Sequence, residues 1–456
     1  MAASKNMAVG NRKVLVICNE MIGRRLAGTA IRSIEMARAL SAAFDVTVAA
    51  PTIDAGLEVP FRLLNAVKDQ LQAIASVSDL IIIQGDALVR YPFLKKVKGV
   101  LVADMYCPIP LEYHQMTDDV QQDLRLAMGA RIAHTMAEQV AYADYFLCAS
   151  EKQRDFWLGP LAVAGRINAL RWPRALHASI DELISVVPFG LPDGEPVKAC
   201  RALRLRFGIP EDAFVAIWGG GVYQWFDPLT IILAIGQLAE QDIPVHLVFM
   251  GIKHPNPTIV QHDRCAEAIA MADRLGLTGK VVHFNYDWIE YGERQDYFLD
   301  ADVGVSAHYD NLETRFSFRT RMLDYLWCGL PIISTRGDVF ADEIQSENLG
   351  AVIDYEDVNG WIEALGRMKR DKDFFMECRG RVRAVANRYR WSVVVQPLVE
   401  LAYSAVPAKD RVYARKLFRR QRNLTHLIQR IRHAYTRGGI ALLSHAISRR
   451  LGWTLK

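Results

Sequence analysis

Residues 313–338 have the sequence ETRFSFRTRMLDYLWCGLPIISTRGD, which combines a polar loop, a helix pattern and a strand pattern. An apolar run at 302–307 precedes it and is typical of a short buried strand. Residues 318–328 have the pattern of a helix, Gly329 suits the left-handed position beyond its end, and 331–334 fit a second buried strand. This order of strand, polar loop, helix and strand predicts an α/β protein with a parallel sheet.

The loop before that helix has the features of a phosphate site, because free N–H groups and the helix dipole favour an anion there. Guanidinium groups add paired, charge-assisted hydrogen bonds to phosphate oxygens. The stretch contains four arginines: Arg315, Arg319, Arg321 and Arg336. Asp324 lies inside the helix, where a carboxylate is suited to accept hydrogen bonds from sugar hydroxyls. The alternative is an ordinary i,i+3 ion pair between Arg321 and Asp324.

The same stretch resembles the donor-binding motif of family 4 glycosyltransferases, which have the two-domain GT-B fold. That motif contains a Glu, seven further residues, a second Glu, and then Ala-x-Ala-x-Gly-x-Pro-Val. In this sequence Asp324 takes the second acidic position, ahead of Gly329 and Pro331. The resemblance implies that Asp324 binds the ribose of a nucleotide-activated sugar.

The first acidic position of the motif falls at Phe316, and the nearest acid is Glu313, three residues earlier. In the family this Glu, together with backbone amides, holds the donor sugar. Two alternatives follow: Glu313 takes that role through a longer loop, or this chain handles its donor differently. The resemblance therefore makes Glu313 a candidate catalytic residue, with Arg319 as a candidate to stabilise charge on the leaving diphosphate.

The bulk composition indicates a globular protein of two domains, since 456 residues exceed what one hydrophobic core usually supports. Seven scattered cysteines without a CxxC pair argue for a reducing compartment and against a disulfide framework or a zinc site. The first residues lack the apolar core of a secretory signal, and no apolar run has the length of a transmembrane helix. We therefore expect a cytoplasmic protein.

The charge is unevenly distributed along the chain. Residues 405–456 contain 13 Lys and Arg and one acid, whereas the rest has 42 basic and 50 acidic residues. Apolar residues recur at helical spacing in this basic tail, as in a helix that lies on an anionic membrane surface. The alternatives are a helix docked on the acidic body and a disordered tail. Nucleic-acid binding is not expected, because the body is acidic and no nucleic-acid motif occurs.

Strand and helix patterns alternate twice along the chain, which predicts two Rossmann-like, doubly wound domains that face each other across a cleft. Buried strands are predicted at 13–18, 45–50, 80–84, 99–103 and 145–149, and then at 214–218, 245–249, 281–284, 302–307 and 331–334. With the GT-B resemblance, the expected parts are an acceptor domain at 1–187, a nucleotide-sugar domain at 188–390 and a helix at 391–404 that crosses back. The linker is expected at 185–192, which is rich in Pro and Gly.

The loop between the first strand and the first helix has neither GxGxxG nor GxxxxGK[ST], so a standard dinucleotide site and a P-loop are both absent. Residues 27–32, AGTAIR, are similar to the glycosyltransferase loop AGPGIR. The resemblance implies that Gly28 and Arg32 face the donor diphosphate. The alternative for Arg32 is an ordinary exposed charge on the helix.

Three glycines, Gly219, Gly220 and Gly221, follow the first strand of the second half. Such a run allows backbone amides to approach a phosphate or a sugar closely. Trp288 follows another strand of that half, where it either flanks the nucleotide base or belongs to the core.

Many family members place an Arg and a Lys near this glycine loop to bind the pyrophosphate. Residues 219–228 contain neither, so we assign the cationic role to the arginines of the opening stretch. The candidates are Arg315, Arg319 and Arg321, with Lys253 as a further one. Guanidinium groups are suited to this role because they match phosphate geometry.

The acceptor side is expected at 104–114, where Asp104, Glu112 and His114 follow a strand of the first half. His114 is a candidate to position or deprotonate an acceptor hydroxyl, and the alternative is a surface histidine. Retaining enzymes of the family need no strong base, because the leaving diphosphate oxygen takes the acceptor proton. No DxD pair of the metal-binding type occurs in a suitable loop, so neither a divalent metal nor another cofactor is expected.

Together these features predict a retaining glycosyltransferase of the hexosyltransferase class. We expect it to transfer a sugar from a nucleotide sugar to a glycan or lipid-linked acceptor in bacterial-type surface polysaccharide synthesis, at the cytosolic face of the membrane. Two alternatives remain: a nucleotide-sugar epimerase of the same fold, and a non-catalytic protein that binds nucleotide sugars or glycans. Phe316 motivates the second alternative. The resemblance covers residues 13–404 and leaves out the basic tail.

Overall fold

The computed structural model describes residues 12–54, 56–117, 120–252 and 263–420, and in this part of the chain the strands form two separate parallel sheets. The first sheet contains β1 (Lys13–Ile17), β2 (Asp45–Ala50), β3 (Arg62–Asn65), β4 (Leu80–Gln84), β5 (Val100–Asp104), β6 (Tyr145–Cys148) and β7 (Ile184–Val186). The second contains β8 (Phe214–Trp218), β9 (Val245–Phe249), β10 (Val282–Phe284), β11 (Val303–Ser306), β12 (Ile332–Thr335) and β13 (Gly350–Ile353).

Both sheets are doubly wound. Their strand orders are β3-β2-β1-β4-β5-β6-β7 and β10-β9-β8-β11-β12-β13. The order reverses beside β1 in the first sheet and beside β8 in the second, and ligands of such sheets bind outside the carboxyl ends of the strands at these points. The predicted fold class, two Rossmann-like domains, is confirmed.

Helices cover both faces of each sheet, which explains why the central strands are apolar along their whole length. Those around the first sheet are α1 (Gly28–Ser41), α2 (Lys68–Val77), α3 (Ala87–Arg90), α4 (Ile109–Met116), α5 (Gln122–Tyr142) and α6 (Glu151–Val163). Those that follow are α7 (Ala202–Phe207), α8 (Pro228–Glu240), α9 (Asp263–Arg274), α10 (Arg294–Phe298), α11 (Leu312–Phe316), α12 (Arg321–Cys328), α13 (Val339–Ser346), α14 (Val358–Arg370), α15 (Lys372–Ala386), α16 (Trp391–Val394) and α17 (Gln396–Ser404).

Strand β7 extends two residues into the stretch 185–192 that was expected to be a linker, and the chain after it is held by residues in and next to α16. Leu191 exchanges backbone hydrogen bonds with Tyr389 and Trp391, at 2.8 and 2.9 Å. Gly190 lies against the Trp391 ring, where an added Cβ would come within 2.5 Å of a ring atom. Only glycine fits there, so the passage between the domains is fixed by close packing.

Residues 405–420, the first part of the predicted basic tail, are docked on the folded body, which is the first of the alternatives given for this tail. Asp410 is fully buried, and its carboxylate accepts hydrogen bonds from Arg166 Nε at 2.9 Å and Arg171 Nη2 at 2.9 Å. Arg411 pairs with the buried carboxylate of Asp144. Buried charges need such partners, so these ion pairs fix the segment on the first domain. Residues 421–456 lie outside the described residues.

None of the helices in the described part of the chain combines the length and the apolar character needed to cross a membrane.

Candidate active site

A cavity of about 180 Å³ lies at the carboxyl ends of strands from both sheets. The first domain contributes the loop after β1 and the start of α1, and the second contributes the loops after β8, β9 and β10 together with α12. Its lining includes glycines, aromatic side chains and three charged residues: Gly28, Gly219, Gly220, Gly221, Trp288, Tyr291, Arg294, Arg321 and Asp324. The cavity therefore has the position that doubly wound sheets give to ligand sites.

Helix α12 presents Asp324 to the cavity. The helix ends at Gly329, whose φ of +66° is left-handed, and its apolar side chains are buried against the second sheet. Asp324 Oδ1 accepts a hydrogen bond from Arg294 Nε at 2.9 Å, and no described residue donates to Oδ2. The Asp324 side chain is 27% exposed. One carboxylate oxygen is thus held by the protein and the other is available to a ligand.

The glycine loop after β8 is held in place by Tyr325, a residue that the sequence analysis did not single out. Tyr325 Oη accepts a hydrogen bond from the Gly219 N–H at 2.8 Å and is 2.8 Å from the Val305 carbonyl, to which it donates. The Tyr325 ring fits only because Gly304 faces it, since a Cβ there would come within 2.3 Å of the ring. The loop is therefore preformed, with Gly220 at a φ of +73°.

Arg321 supplies a buried positive charge to the cavity wall. Its guanidinium lies 4.1 Å from the Phe226 ring centroid, and its Nη2 donates to the Gly221 carbonyl at 2.8 Å. Burial lowers the pKa of Arg321 to about 10, so the side chain stays cationic at neutral pH. Nη1 is buried without a hydrogen-bond partner among the described residues. A buried guanidinium with an unused N–H is suited to bind an anionic oxygen.

Glu313 and Arg319 form a bidentate ion pair outside the cavity wall. Arg319 Nη1 and Nη2 donate to the two Glu313 carboxylate oxygens, at 2.8 and 2.7 Å. Glu313 is 1% exposed and Arg319 is 5% exposed. Both carboxylate oxygens are engaged within the protein. In the structure described, this pair has the features of a structural element rather than of a free catalytic group.

Phe316 is turned toward the first domain. Its ring lies 5.1 Å from that of Phe156 on α6, and its carbonyl accepts a hydrogen bond from Gln153 Nε2 at 3.1 Å. The position at which the resemblance expects a sugar-binding Glu therefore joins the two domains. Arg315 beside it is exposed and does not line the cavity.

Arg32 does not reach the cavity, which corrects its assignment to the donor diphosphate. Its Nε and Nη2 donate to the two oxygens of Asp104, at 2.7 and 2.8 Å, and its Nη1 donates to the Pro188 carbonyl at 3.0 Å. The guanidinium is completely buried. It connects β5 to the passage between the domains, while Gly28, one turn earlier, does line the cavity.

His114 is exposed on α4 and does not line the cavity. The expectation that its side chain faces the site is therefore wrong. Glu112 in the same helix lies nearer to the second domain. Burial, and then the negative charge of Glu313, raise the pKa of Glu112 to about 7. Glu112 is therefore the acid of this helix that is close to the donor motif. Lys253 lies outside the described residues.

Trp288 lines the cavity beside the loop after β9. A Cβ added to Gly251 would lie 3.5 Å from the Trp288 ring, so the ring covers this glycine closely. Trp288 itself belongs to the loop after β10, which leads to Arg294, a further lining residue that was not singled out in the sequence. Arg294 begins the short helix α10, and no motif surrounds it in the sequence.

No family model matches the chain. A D-inositol 3-phosphate glycosyltransferase of Xylanimonas cellulosilytica is 25% identical over 249 residues, which are 53% of this chain and 56% of that protein. The chain spans about half the length of the curated relatives it matches.

Two solved structures are similar to almost the whole described body. HepE of Anabaena, in complex with UDP and glucose, has a TM-score of 0.62 at 14% identity, with 86% of this chain and 100% of that chain covered. Sucrose-phosphate synthase from Thermosynechococcus elongatus has a TM-score of 0.58 at 15% identity, with 86% and 98% covered. These likenesses show that the chain has the GT-B fold. Together with the sequence relatives they support an enzyme of the glycosyltransferase class.

Proposed function

We propose that the protein is a retaining glycosyltransferase that uses a nucleoside-diphosphate sugar as its donor. One observation carries the proposal: a free carboxylate oxygen of Asp324 and an unpartnered N–H of Arg321 belong to residues lining one cavity. A ribose supplies hydroxyl donors for the first group, and a diphosphate supplies anionic oxygens for the second. The preformed glycine loop beside them allows a phosphate to approach the backbone.

The proposed binding mode gives each part of the donor a partner. The diphosphate contacts Arg321 and the backbone at Gly220 and Gly221, the ribose contacts Asp324, and the base lies against Trp288. Because Arg321 is buried, its charge acts in surroundings of low dielectric and stabilises the charge that develops on the leaving diphosphate. The relatives named as D-inositol 3-phosphate glycosyltransferases and the HepE complex with UDP support a nucleotide sugar as the donor.

In the proposed reaction the bond between the anomeric carbon and the diphosphate oxygen breaks, and a bond to an acceptor hydroxyl oxygen forms on the same face of the sugar. The acceptor proton passes to the leaving diphosphate oxygen. Glu112, on the first domain, is the group that we assign to orient the acceptor. Its pKa of about 7 leaves it able to accept or to donate a hydrogen bond at neutral pH.

We further propose that the acceptor is a glycan or a lipid-linked glycan of a bacterial-type surface polysaccharide, and that the protein works on the inner face of the plasma membrane. The support is the composition of 421–456, which has seven Lys and Arg and no acid. Cosedimentation with vesicles containing anionic lipid tests this. Deletion of 421–456 is expected to abolish cosedimentation, while deletion from 405 would also remove the buried Asp410.

Incubation with radiolabelled nucleotide sugars tests the enzymatic part. Without an acceptor, we expect the wild-type protein to hydrolyse one donor slowly and to release a nucleoside diphosphate. This hydrolysis should be lost in Asp324→Ala. Conversion of the donor to an isomeric nucleotide sugar would instead indicate an epimerase. Binding without any turnover, with or without acceptor extracts, would favour the non-catalytic alternative, which the internal pairing of Glu313 with Arg319 makes worth testing.

A further inference from the structure

We infer that Arg294 is a positioning residue that orients the Asp324 carboxylate toward the ribose and so sets a preference for ribonucleotides over 2′-deoxyribonucleotides. The inference rests on the proposed function, because it assumes that the cavity binds a nucleotide. It concerns a residue that no sequence motif indicates.

Arg294 is held on several sides. Its Nε donates to Asp324 Oδ1 at 2.9 Å, and its Nη1 donates to the Tyr291 carbonyl. The guanidinium carbon lies 3.8 Å from the Tyr291 ring centroid and 4.8 Å from that of Trp327. The residue is 8% exposed, so water has little access to it. A guanidinium with two directed hydrogen bonds and two aromatic neighbours has little freedom to rotate.

This rigidity passes to Asp324. An aspartate on a helix that is partly exposed to solvent would otherwise sample several carboxylate orientations. Because Oδ1 is fixed by the Nε–H of Arg294, Oδ2 is left with one preferred direction, and Asp324 lines the cavity. A lysine at 294 would keep a positive charge. Its donors all sit on one nitrogen, so it cannot reproduce the fork in which Nε reaches Asp324 and Nη1 reaches the Tyr291 carbonyl.

A fixed acceptor distinguishes ligands by the donors they offer. A ribose hydroxyl that meets Oδ2 forms a charge-assisted hydrogen bond, whereas a 2′-deoxyribose leaves the carboxylate short of one donor. Hydrogen bonds to charged groups correspond to a preference of about 10- to 100-fold. A mobile carboxylate would meet the remaining 3′-hydroxyl or water instead, and the preference would shrink.

The test is calorimetric titration with UDP and 2′-deoxy-UDP, with ADP and GDP and their deoxy forms in parallel. Wild-type protein is expected to bind one ribonucleotide at least 10-fold more tightly than its deoxy form. In Arg294→Lys we expect the affinity for the ribonucleotide to fall about 10-fold, while the affinity for the deoxy form changes little. The ratio of the two affinities therefore falls toward one. Arg204→Lys is the matched control, because Arg204 pairs with Asp300 and Asp302 in the same domain away from the cavity.

A preference that is unchanged in folded Arg294→Lys overturns the inference and makes the ion pair purely structural. Should that variant not fold, Asp324→Asn provides a second route. Its amide oxygen still accepts from Arg294, but the group toward the ligand becomes a neutral donor, so the charge-assisted bond from the hydroxyl is lost and the ribose preference is expected to fall. A preference retained in Asp324→Asn also overturns the inference. If wild-type protein binds a nucleoside diphosphate without any preference for ribose, the inference is overturned but the proposed function stands. Wild-type protein that binds no nucleoside diphosphate overturns both.

Discussion

Two of the three acidic residues within 313–338 have opposite surroundings. Asp324 gives one oxygen to Arg294 and lines the cavity with the other unengaged. Glu313, eleven residues earlier, gives both oxygens to Arg319 and is 1% exposed. In the proposed function the same residue chemistry serves ligand binding at Asp324, whereas at Glu313 it serves packing within the protein. What separates the two is whether a polar atom is left without a protein partner where a ligand can reach it.

The largest effect is expected from breaking the Glu313–Arg319 pair. Arg319→Ala should lower the free energy of unfolding by about 3–5 kcal/mol, because it leaves a buried carboxylate without its partner. Urea denaturation measures this. Arg336→Ala is the control, since Arg336 pairs with Asp354 on the surface and should cost less than about 1 kcal/mol. Equal, small effects of the two changes would contradict a structural role for the pair.

A smaller, functional effect is expected at Asp324. Asp324→Ala should weaken nucleoside-diphosphate binding by about 1.5–3 kcal/mol, the range for hydrogen bonds to a charged group. Stability should fall by less than in Arg319→Ala, because the Asp324 side chain is 27% exposed, although its loss leaves the Arg294 guanidinium without its ion partner. Titration calorimetry gives the affinity and thermal denaturation gives the stability. Asp287→Ala is a matched control in the same domain, because Asp287 is 71% exposed on its side chain and lies outside the cavity wall.

Glu112 is expected to link stability to pH. Its pKa is raised from 4.5 to about 7, so the folded state binds this proton more tightly than the unfolded chain. The resulting stabilisation is complete below pH 4.5 and is lost as the pH rises through about 7. Glu112→Gln stays neutral, so its stability relative to wild type should rise between pH 5 and pH 8, by an amount on the order of 1 kcal/mol. Urea denaturation at both pH values measures the change, and a constant difference would show that Glu112 does not titrate in this range.

The smallest effect is expected at Phe316. Phe316→Glu restores the acid of the family motif in sequence, but the side chain at 316 is directed at Phe156 and not at the cavity. We therefore expect donor affinity to stay within about twofold of wild type, which is roughly 0.4 kcal/mol. Phe316→Gln is the control for loss of the ring alone. A clear gain of affinity or turnover with Glu, and not with Gln, would place the sugar-binding role at this position after all.

The fold was largely predictable because the central strands are buried on both faces and therefore form uninterrupted apolar runs, as at β4 and β8. The edge strands β3 and β13 were not predicted, because they are short and partly exposed and their sequences contain no long apolar run. Residues 405–420 were assigned to the basic tail by charge. Composition does not reveal that Asp410 is buried with two arginines of the first domain.

The site was predictable where one local motif contains the residue, as for Asp324, Arg321 and the glycine loop. The sequence did not predict the roles of side chains whose partners lie far away along the chain. Arg32 has the sequence position of a ligand-binding residue, yet its partner Asp104 lies 72 residues away. Arg294 acts on Asp324 from 30 residues away and carries no sequence signal of its own. Helical spacing shows which residues share a face, but the partners of a charged side chain are set by the tertiary fold.

The most direct test of the account compares Asp324→Asn with Glu313→Gln in one titration of UDP, ADP and GDP. At a temperature below the melting temperature of each protein, wild type and Glu313→Gln are expected to bind the same diphosphate with affinities within about threefold, a difference of about 0.65 kcal/mol. Asp324→Asn should bind at least 10-fold more weakly. Loss of binding in Glu313→Gln, with binding retained in Asp324→Asn, would contradict the account.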